Sequence, residues 1–367
     1  MSPRELTPRA LNRALLDRQW LLRRTDRSVP EVVEHLVGLQ AQQGDPPYYQ
    51  LWSRIAGFQP DDLSRLLLNR ELVRVALMRG TIHLVTARDC MGMRAAVQPY
   101  LSRTLFSGSQ FGKRIAGVDP DELTAAAGRL LADGPLTNDE LAQRLEQLWP
   151  DHEGTALAYG ARGLLPLIQV PPRGVWGQGG PLTYASASQW LDVEPAEPDL
   201  PDLVLRYLAA FGPASVADFQ KWSVLTRMAP VFDALRDRLT VYRDQNGREL
   251  FDVAGTALPD PDTPVPVTVV GPFDNLLLGH ADKTRVISKD HEKRVAGVNA
   301  IIRGTYLVDG RVAGAWKVDR SRKTHVRLAI ERFSPLSDDQ TDELVHRAEE
   351  LLDFAAEDAP KRSIAFD

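Results

Sequence analysis

The feature that most constrains the fold of this chain is an internal repeat. The segments ADGPLTNDELAQRL (132–145) and AFGPASVADFQKWS (210–223) share the pattern Gly-Pro-x-Thr/Ser-x-x-Asp/Glu. In each copy a hydroxyl residue, Thr137 or Ser215, is followed three positions later by an acidic residue, which is the arrangement of a capping box at the start of a helix. The second box has Asp218 where the first has Glu140, and the shorter Asp side chain makes it a weaker match. The chain is therefore expected to use one supersecondary unit more than once.

The neighbours of the two copies are also alike. In each, a segment with helical periodicity comes before the capping box, two helical segments follow, and a β-hairpin signal closes the unit. In the second copy the hairpin turns at Asn246-Gly247, a strong two-residue turn signal. Three helices and a hairpin are the plan of the winged helix, a helix-turn-helix variant. Residues 9–88 predict a third, diverged copy whose two strands flank Arg79-Gly80.

From about residue 264 the pattern becomes β-rich, and Asp309-Gly310 predicts a tight hairpin there. The chain closes with a charged amphipathic segment that predicts a terminal helix. A Pro- and acid-rich stretch at 187–201 indicates a boundary. We therefore predict an α+β fold with three winged-helix (helix-turn-helix) domains and a β-rich domain. Their expected extents are 1–115, 116–195 and 196–260 for the winged helices and 261–367 for the C-terminal β-domain with its terminal helix.

The net charge of −5 argues at first against a nucleic-acid partner, but the charge is unevenly distributed. Residues 70–114 carry eight Arg or Lys and two acidic residues, and residues 281–330 carry twelve basic and five acidic residues. Local field rather than global charge decides where a polyanion docks. These two regions are candidate DNA-binding surfaces, with solvated Arg-rich surfaces as the alternative.

Several classes of protein are excluded by what the sequence lacks. The single cysteine, Cys90, leaves no internal disulfide and fits a reducing compartment. The first twenty residues are charged throughout, unlike a signal peptide, and no apolar run is long enough for a membrane span. We expect a cytoplasmic protein, associated with the nucleoid of a bacterium. Neither a P-loop nor paired cysteines nor a His-Glu-x-x-His motif occurs, so we expect no cofactor and no metal.

Three glutamines, Gln40, Gln42 and Gln43, follow an apolar helical segment and precede Gly44 and two prolines. Residues i and i+2 point apart on a helix but lie on one side of an extended chain. Because the glycine and prolines end the helix here, the amides of Gln40 and Gln42 can converge on one target. The alternative is that these amides cap the helix or bind neighbouring backbone.

Four segments in this order, GLQAQ, LVRVALMRGTIHLVTARD, PFDNLLLGHADKTRVI and YLVDGRVAGAWKV, resemble the winged-helix DNA glycosylases of the AlkZ/YcaQ type. The resemblance runs from about residue 8 to residue 355 and is strongest to the azinomycin-resistance branch. It implies three tandem winged helices and a C-terminal β-domain, arranged as a C around a basic channel. The family signature Gln-Φ-Gln, in which Φ is apolar and the YcaQ branch has Asp at the second amide, implies that Gln40 and Gln42 are catalytic.

The resemblance also implies a reaction and a partner. The expected enzyme is a monofunctional glycosylase that hydrolyses the N-glycosidic bond of N7-alkylated purines, including bulky adducts and interstrand crosslinks, in DNA repair and self-resistance to a DNA-alkylating natural product. It would act as a monomer on double-stranded DNA, with the two amides orienting one water. Asp274 and Asn275 are expected to have a structural role near the site. Candidate DNA-binding residues are Arg79, His83, Lys283, Arg285, Lys289, Lys293 and Arg294.

Two other functions fit parts of this pattern. A winged-helix transcription regulator would need base-reading side chains and a dimerisation element, and no dimerisation coiled coil occurs in the sequence. A non-catalytic binder of damaged DNA would share the fold without the chemistry. The segment VDGRVAG is expected either to approach the duplex as a hairpin or to form a plain turn of the β-domain.

Overall fold

The computed structural model describes residues 3–297, 301–322 and 325–366. The first group of elements comprises β1 (Arg4–Leu6), α1 (Pro8–Arg18), α2 (Val29–His35), β2 (Leu39–Gln40), α3 (Pro46–Trp52), α4 (Pro60–Leu68), β3 (Leu72–Ala76), β4 (Ile82–Thr86), α5 (Ala87–Gly108) and α6 (Gln110–Arg114). The second comprises α7 (Pro120–Leu131), β5 (Leu136–Thr137), α8 (Asn138–Leu148), α9 (Gly154–Leu164), β6 (Leu167–Gln169), β7 (Thr183–Ser186) and α10 (Ala187–Leu191).

The third group comprises α11 (Leu200–Phe211), α12 (Val216–Ser223), α13 (Ala229–Ala234), β8 (Leu239–Asp244) and β9 (Glu249–Val253). The last comprises β10 (Thr268–Val270), α14 (Asn275–Leu278), α15 (Lys289–Val295), β11 (Gly304–Val308), β12 (Arg311–Arg322), β13 (His325–Arg332), α16 (Asp338–Ala355) and β14 (Arg362–Phe366). The expected β-rich C-terminal region and its amphipathic helix are both present, but the helix does not close the chain, because strand β14 follows it and pairs with β13. The first two residues of one predicted strand (NAIIRGTYLV, 299–308) lie outside the described residues.

Both predicted capping boxes are confirmed. Thr137 Oγ1 accepts from the Glu140 amide (3.2 Å), and the Glu140 carboxylate accepts from the Thr137 amide (2.8 Å). Ser215 and Asp218 form the same reciprocal pair at 3.2 and 2.9 Å, so the shorter acid still completes the box. Asp218 also accepts from the Ala281 amide (2.9 Å), which ties α12 to the C-terminal region. The first copy joins its helix to β7 through the strand β5, whereas the second is tied to the C-terminal region through Asp218.

The three predicted hairpins are confirmed as well. β3 and β4 pair around Arg79-Gly80, β6 pairs with β7, and β8 pairs with β9. The β8–β9 turn lies at Asn246-Gly247, and Gly247 has a φ of 77°, which a residue without a side chain adopts most easily.

The first two hairpins belong to one six-stranded sheet with the order β2-β4-β3-β6-β7-β5. They join where Val75 of β3 pairs with Ile168 of β6. The repeat, in which a hairpin closes each unit, does not predict this fusion. As a consequence β2 lies at one edge of a sheet that spans two of the repeated units.

Two further sheets complete the described chain. β1, β8 and β9 form one, in which β1 runs parallel to β8. β10 to β14 form the other, a five-stranded sheet against which α16 packs. The N-terminal strand is thereby tied to the third hairpin, far away in the sequence.

The hydrophobic core separates the middle helices from the rest. Helices α7 to α9 pack around their own cluster, which includes Leu123 and Leu157. A second, larger cluster runs from Val33 through Tyr49 to Trp316 of β12. The edge strand β2 is part of that shared core, because Leu39 is fully buried in it. Within the described ranges, no helix has the length and apolar character that crossing a membrane requires.

Candidate active site

The glutamines predicted to be catalytic lie on and just after the edge strand β2. Helix α2 ends before them because Val37 and Gly38 both take left-handed backbone conformations, with φ of 53° and 88°. The chain then enters β2, where Gln40 pairs with His83 of β4. The prediction that the glutamines end a helix is therefore wrong, although the helix does stop early enough for Gln40 and Gln42 to converge.

The β2–β4 ladder is interrupted at the next residue. The Ala41 amide donates to the Ile82 carbonyl (2.7 Å), and a regular antiparallel ladder would return a bond from Ile82 to Ala41. Instead the Ile82 amide donates to Gln42 Oε1 (3.0 Å), and the Ala41 carbonyl accepts from Arg74 Nη2 (2.8 Å). The Gln42 side chain thus replaces a backbone acceptor where the chain leaves the sheet. The Gln42 oxygen therefore binds backbone, as the alternative interpretation expects. Gln42 is otherwise exposed.

The Gln40 side chain is held in a different way. It is buried, and its Oε1 accepts from Arg79 Nη2 (3.0 Å). The same guanidinium contacts His83 Nε2 (3.1 Å) and donates to the Trp222 carbonyl (2.7 Å). Arg79 therefore connects Gln40 with β4 and with the end of α12.

His83 is a neutral member of this group. Burial, together with the neighbouring Arg79 cation, lowers the pKa of His83 to about 3. Its Nδ1 lies 3.1 Å from the Thr81 carbonyl, which can only accept, so Nδ1 carries the proton and Nε2 accepts from Arg79. Burial lowers the pKa of Arg79 to about 10, which leaves the guanidinium charged at neutral pH.

Side chains from distant parts of the chain satisfy the outward carbonyls around β2. Asn275 Nδ2 donates to the carbonyls of Gly38 (2.8 Å) and Leu36 (3.2 Å). Gln50 Nε2 donates to the Gln40 carbonyl (3.2 Å), and both amide side chains are fully buried. These bonds satisfy backbone carbonyls at the sheet edge that would otherwise need another strand or water as a partner.

A buried ion pair lies next to Gln50 and Asn275. Arg54 and Asp274 are both inaccessible to solvent and form two parallel bonds of 2.8 Å. Arg54 Nη1 also donates to the Gln50 carbonyl (2.9 Å), and Asp274 accepts from the Leu276 amide at the start of α14. Asp274 binds Arg54, and Asn275 binds the carbonyls of Leu36 and Gly38. A structural role for both residues near the site stays a prediction that these contacts support.

Two predicted DNA-binding residues lie in the interior. His83 is 1 % exposed and Arg285 is 6 % exposed, and Arg285 Nη1 donates to the Pro213 carbonyl (3.0 Å). Buried side chains that are already bonded cannot reach a phosphate, so the prediction of direct DNA contact is wrong for these two. Arg79 is half-buried and directs its bonds inward, to the contacts described above.

The remaining predicted cations lie on the surface around α15. Lys289 and Lys293 are exposed and have no ion pair within the described ranges. Lys283 pairs with Glu292 at 2.8 Å. Arg294 is exposed, pairs with Glu331 at 2.7 Å and lies over the ring of Phe333.

The Asp309-Gly310 turn is a plain turn of the β-domain. Asp309 accepts from Arg9 (2.6 Å) and from Arg13, and the Gly310 carbonyl accepts from Asn12 (2.8 Å), all on α1. These contacts favour the plain-turn alternative, and an approach of this hairpin to duplex DNA stays a prediction.

Sequence reasoning missed the residues that hold the site together. Gln50, Arg54 and Arg74 were not singled out, although each is a polar residue within an apolar stretch. Arg74 in the buried strand LVRVA is the clearest of these signals, because charged side chains are rarely buried without a partner. No group of three or more His, Cys, Asp or Glu is arranged as a metal site in the described part of the chain.

Comparison with known proteins gives one consistent result. A family model described as AlkZ-like DNA glycosylase matches residues 33–354. A protein of Streptomyces sahachiroi named interstrand DNA cross-link repair glycosylase is 29% identical over 333 residues, which cover 83% of this chain and 85% of that protein. The solved structure of the Streptomyces sahachiroi DNA glycosylase AlkZ has the same fold, with a TM-score of 0.77 and 23% identity. That match covers 99% of this chain and all of that one.

The class of protein follows from these findings: a mixed α+β enzyme that removes bases from DNA in the repair of alkylation damage. The chain belongs to the AlkZ-like DNA glycosylase family. Glycosylase activity therefore takes precedence over the transcription-regulator alternative.

Proposed function

We propose that this glycosylase hydrolyses the N-glycosidic bond of N7-alkylated purines in double-stranded DNA, and that Gln40 and Gln42 position the attacking water. The observation that carries the proposal is the joint anchoring of both amides on one stretch of the β3–β4 hairpin. Two neutral side chains that are fixed in this way can orient a water molecule, but they cannot protonate a leaving base.

The substrate must therefore supply its own activation. Alkylation at N7 places a positive charge on the purine, so the C1′–N9 bond can break with its electron pair and leave a neutral base. The transition state has oxocarbenium character at C1′, as in glycoside hydrolysis generally. Neutral His83 does not serve as an acid, since its only proton is donated to the Thr81 carbonyl. Among the described residues that contact Gln40 and Gln42, none is placed to protonate a leaving base, and the proposed reaction does not need such an acid.

The lesion range is proposed to include bulky adducts and interstrand crosslinks. The support is the 29% identical relative, which is named for interstrand cross-link repair. A large adduct is hard to extrude into a tight pocket, so an open channel is the expected shape of the binding site. By extension, the enzyme would give self-resistance to a DNA-alkylating natural product and would act at the bacterial nucleoid.

We propose that the fold consists of three winged helices over residues 1–115, 116–195 and 196–260, followed by the β-domain 261–367, arranged as a C around a basic channel. Three hairpins, two of them preceded by matching capping boxes, support this division. Duplex DNA would be held by a monomer through Lys283, Lys289, Lys293 and Arg294, which contact phosphates without reading sequence.

The test is incubation with duplex DNA that contains 7-methylguanine, followed by alkaline cleavage at the abasic sites formed. Gln40→Ala and Gln42→Ala are each expected to slow single-turnover base release by about 10²-fold, the scale of one positioning contact. Gln43→Ala is the matched control, because Gln43 is an exposed neighbour of the same type. If both variants release the base at the wild-type rate while still binding DNA, these residues are not catalytic. If the wild-type protein itself releases no base, the proposed substrate class is wrong.

A further inference from the structure

The two glutamines are oriented by different kinds of donor. Gln40 Oε1 accepts from the charged guanidinium of Arg79, whereas Gln42 Oε1 accepts from the neutral backbone amide of Ile82, both at 3.0 Å. Gln40 is buried and Gln42 is exposed. A family signature with two glutamines does not distinguish these positions, but their surroundings do.

The orientation of each amide follows from these partners. A guanidinium and a backbone N–H can only donate, so the atom that faces each of them must be the carbonyl oxygen. The NH₂ group of each side chain therefore points away from its anchor. Arg79 is itself fixed by the Trp222 carbonyl and by His83 Nε2, so it cannot turn away from Gln40 without losing two further bonds.

Backbone geometry adds an independent observation. Arg79 has a φ of 59°, the left-handed region that non-glycine residues avoid, in the turn between β3 and β4. Strain of this kind persists where the surroundings require it, and it clusters at functional sites. Here it directs the Arg79 side chain back to Gln40 and His83.

We propose that Arg79 is a positioning residue that gives the two glutamines different roles. Gln40 presents its NH₂ as a hydrogen-bond donor to the oxygen of the attacking water, and Gln42 presents its carbonyl as the acceptor of one water proton. This division rests on the proposed function of the same site. Each carbonyl oxygen keeps one free lone pair, but an oxygen that is bound by a cation is the weaker acceptor, so the Gln42 oxygen, which is bound by a neutral backbone amide, is the better acceptor of the two.

The division suits the bonding capacity of one water. One of its lone pairs accepts from Gln40, the other attacks C1′, and one of its protons is held by Gln42. The C1′–O bond forms as the C1′–N9 bond breaks, and the electron pair of that bond neutralises the charge on the alkylated purine. The extra proton of the attached water passes to solvent, so neither amide is changed. The products are an abasic site and the free N7-alkylpurine.

Isosteric Gln→Glu substitutions test the division, because each replaces the NH₂ with an oxygen and keeps the shape. Single-turnover release of 7-methylguanine by saturating enzyme is measured for Gln40→Glu and Gln42→Glu, with Gln43→Glu as the control for the added charge. Gln40→Glu is expected to lose about 10²-fold in rate because the donor is lost. Gln42→Glu keeps its acceptor, so its loss is expected to be smaller by about tenfold or more, the scale of one hydrogen bond.

Arg79 is tested by the pair Arg79→Met and Arg79→Lys. Loss of the anchor is expected to lower the single-turnover rate of Arg79→Met by about 10-fold to 10²-fold at unchanged DNA affinity, with partial recovery in Arg79→Lys. Thermal melting checks that each variant is folded. Equal losses in Gln40→Glu and Gln42→Glu, or a larger loss in Gln42→Glu, would overturn the division of roles. A fall in DNA affinity without a fall in rate would make Arg79 a DNA contact instead. An inactive wild-type enzyme would count against the proposed function and not against this division.

Discussion

The segment 36–42 and the surface around α15 are built in opposite ways. Within 36–42, buried side chains from distant parts of the chain bind the backbone carbonyls, and an inaccessible ion pair stands behind them. Around α15, Lys289 and Lys293 are exposed, and Arg294 makes a surface pair. Chemistry at one sugar carbon needs atoms fixed to a fraction of an ångström, whereas holding a phosphate backbone needs charge near a surface. Substitutions in the two regions should therefore differ in the property that they change as well as in the size of the change.

The largest difference between the two regions is expected when one partner of an ion pair is removed in each. Asp274→Ala leaves Arg54 buried without a counter-charge, and we expect a loss of about 3–5 kcal/mol in the free energy of unfolding. Glu331→Ala removes the shared partner of Arg294 and Arg303, two solvent-accessible pairs, and should cost about 1 kcal/mol or less for each pair. Urea denaturation followed by circular dichroism measures both. Similar losses in the two variants would mean that the interior pair supports the segment no better than a surface pair.

A smaller effect is expected from the support of Gln40 itself. Gln50→Leu keeps a side chain of similar size in α3 but removes the donor to the carbonyls of Gln40 and Pro272, which leaves both acceptors without this bond. We expect a cost of about 1–3 kcal/mol in the free energy of unfolding. Strand β2 should also shift, and under the proposed role of Gln40 the single-turnover rate should fall by about tenfold or more at unchanged DNA affinity. Chemical denaturation and single-turnover kinetics on the same preparation separate the two effects. A stability loss without any rate loss would show that Gln50 supports the fold but not the site.

The smallest effect on chemistry is expected on the α15 surface. Lys289→Ala and Lys293→Ala should each weaken binding to undamaged duplex DNA and lower the salt dependence of log K by about 0.9, the value for one phosphate contact. The rate at saturating enzyme should stay at the wild-type value. Fluorescence anisotropy over a range of salt concentrations measures the slope, and Lys293→Arg serves as the control that keeps the charge. An unchanged slope would place the DNA on another surface.

Local features of this molecule could be predicted from the sequence, and distant contacts could not. The capping boxes and the Arg79-Gly80 and Asn246-Gly247 turns depend on residues within a few positions of each other, so their patterns were sufficient. The contact of Arg79 with Gln40 spans 39 positions, and that of Asn275 with Gly38 spans 237. No periodicity encodes such pairs, because they arise only when separate elements pack together.

The same limit explains the errors about the site. His83 and Arg285 lie in basic stretches of sequence, which predict contacts with DNA, but the fold buries both. The glutamines were expected at a helix end because the glycine and prolines that follow indicate one. The left-handed residues Val37 and Gly38 stop the helix earlier, and pairing with β4 then makes an edge strand.

The central claim is that a purine made cationic by alkylation leaves without an acid, so that two neutral amides are sufficient. The most direct measurement compares single-turnover release of 7-methylguanine and of hypoxanthine, a neutral purine, from duplexes of the same sequence. We predict that 7-methylguanine is released faster by at least about 10³-fold, since the site offers no proton donor for a neutral leaving group. Release of both bases at comparable rates would contradict this account, because the protein would then have to supply the proton itself.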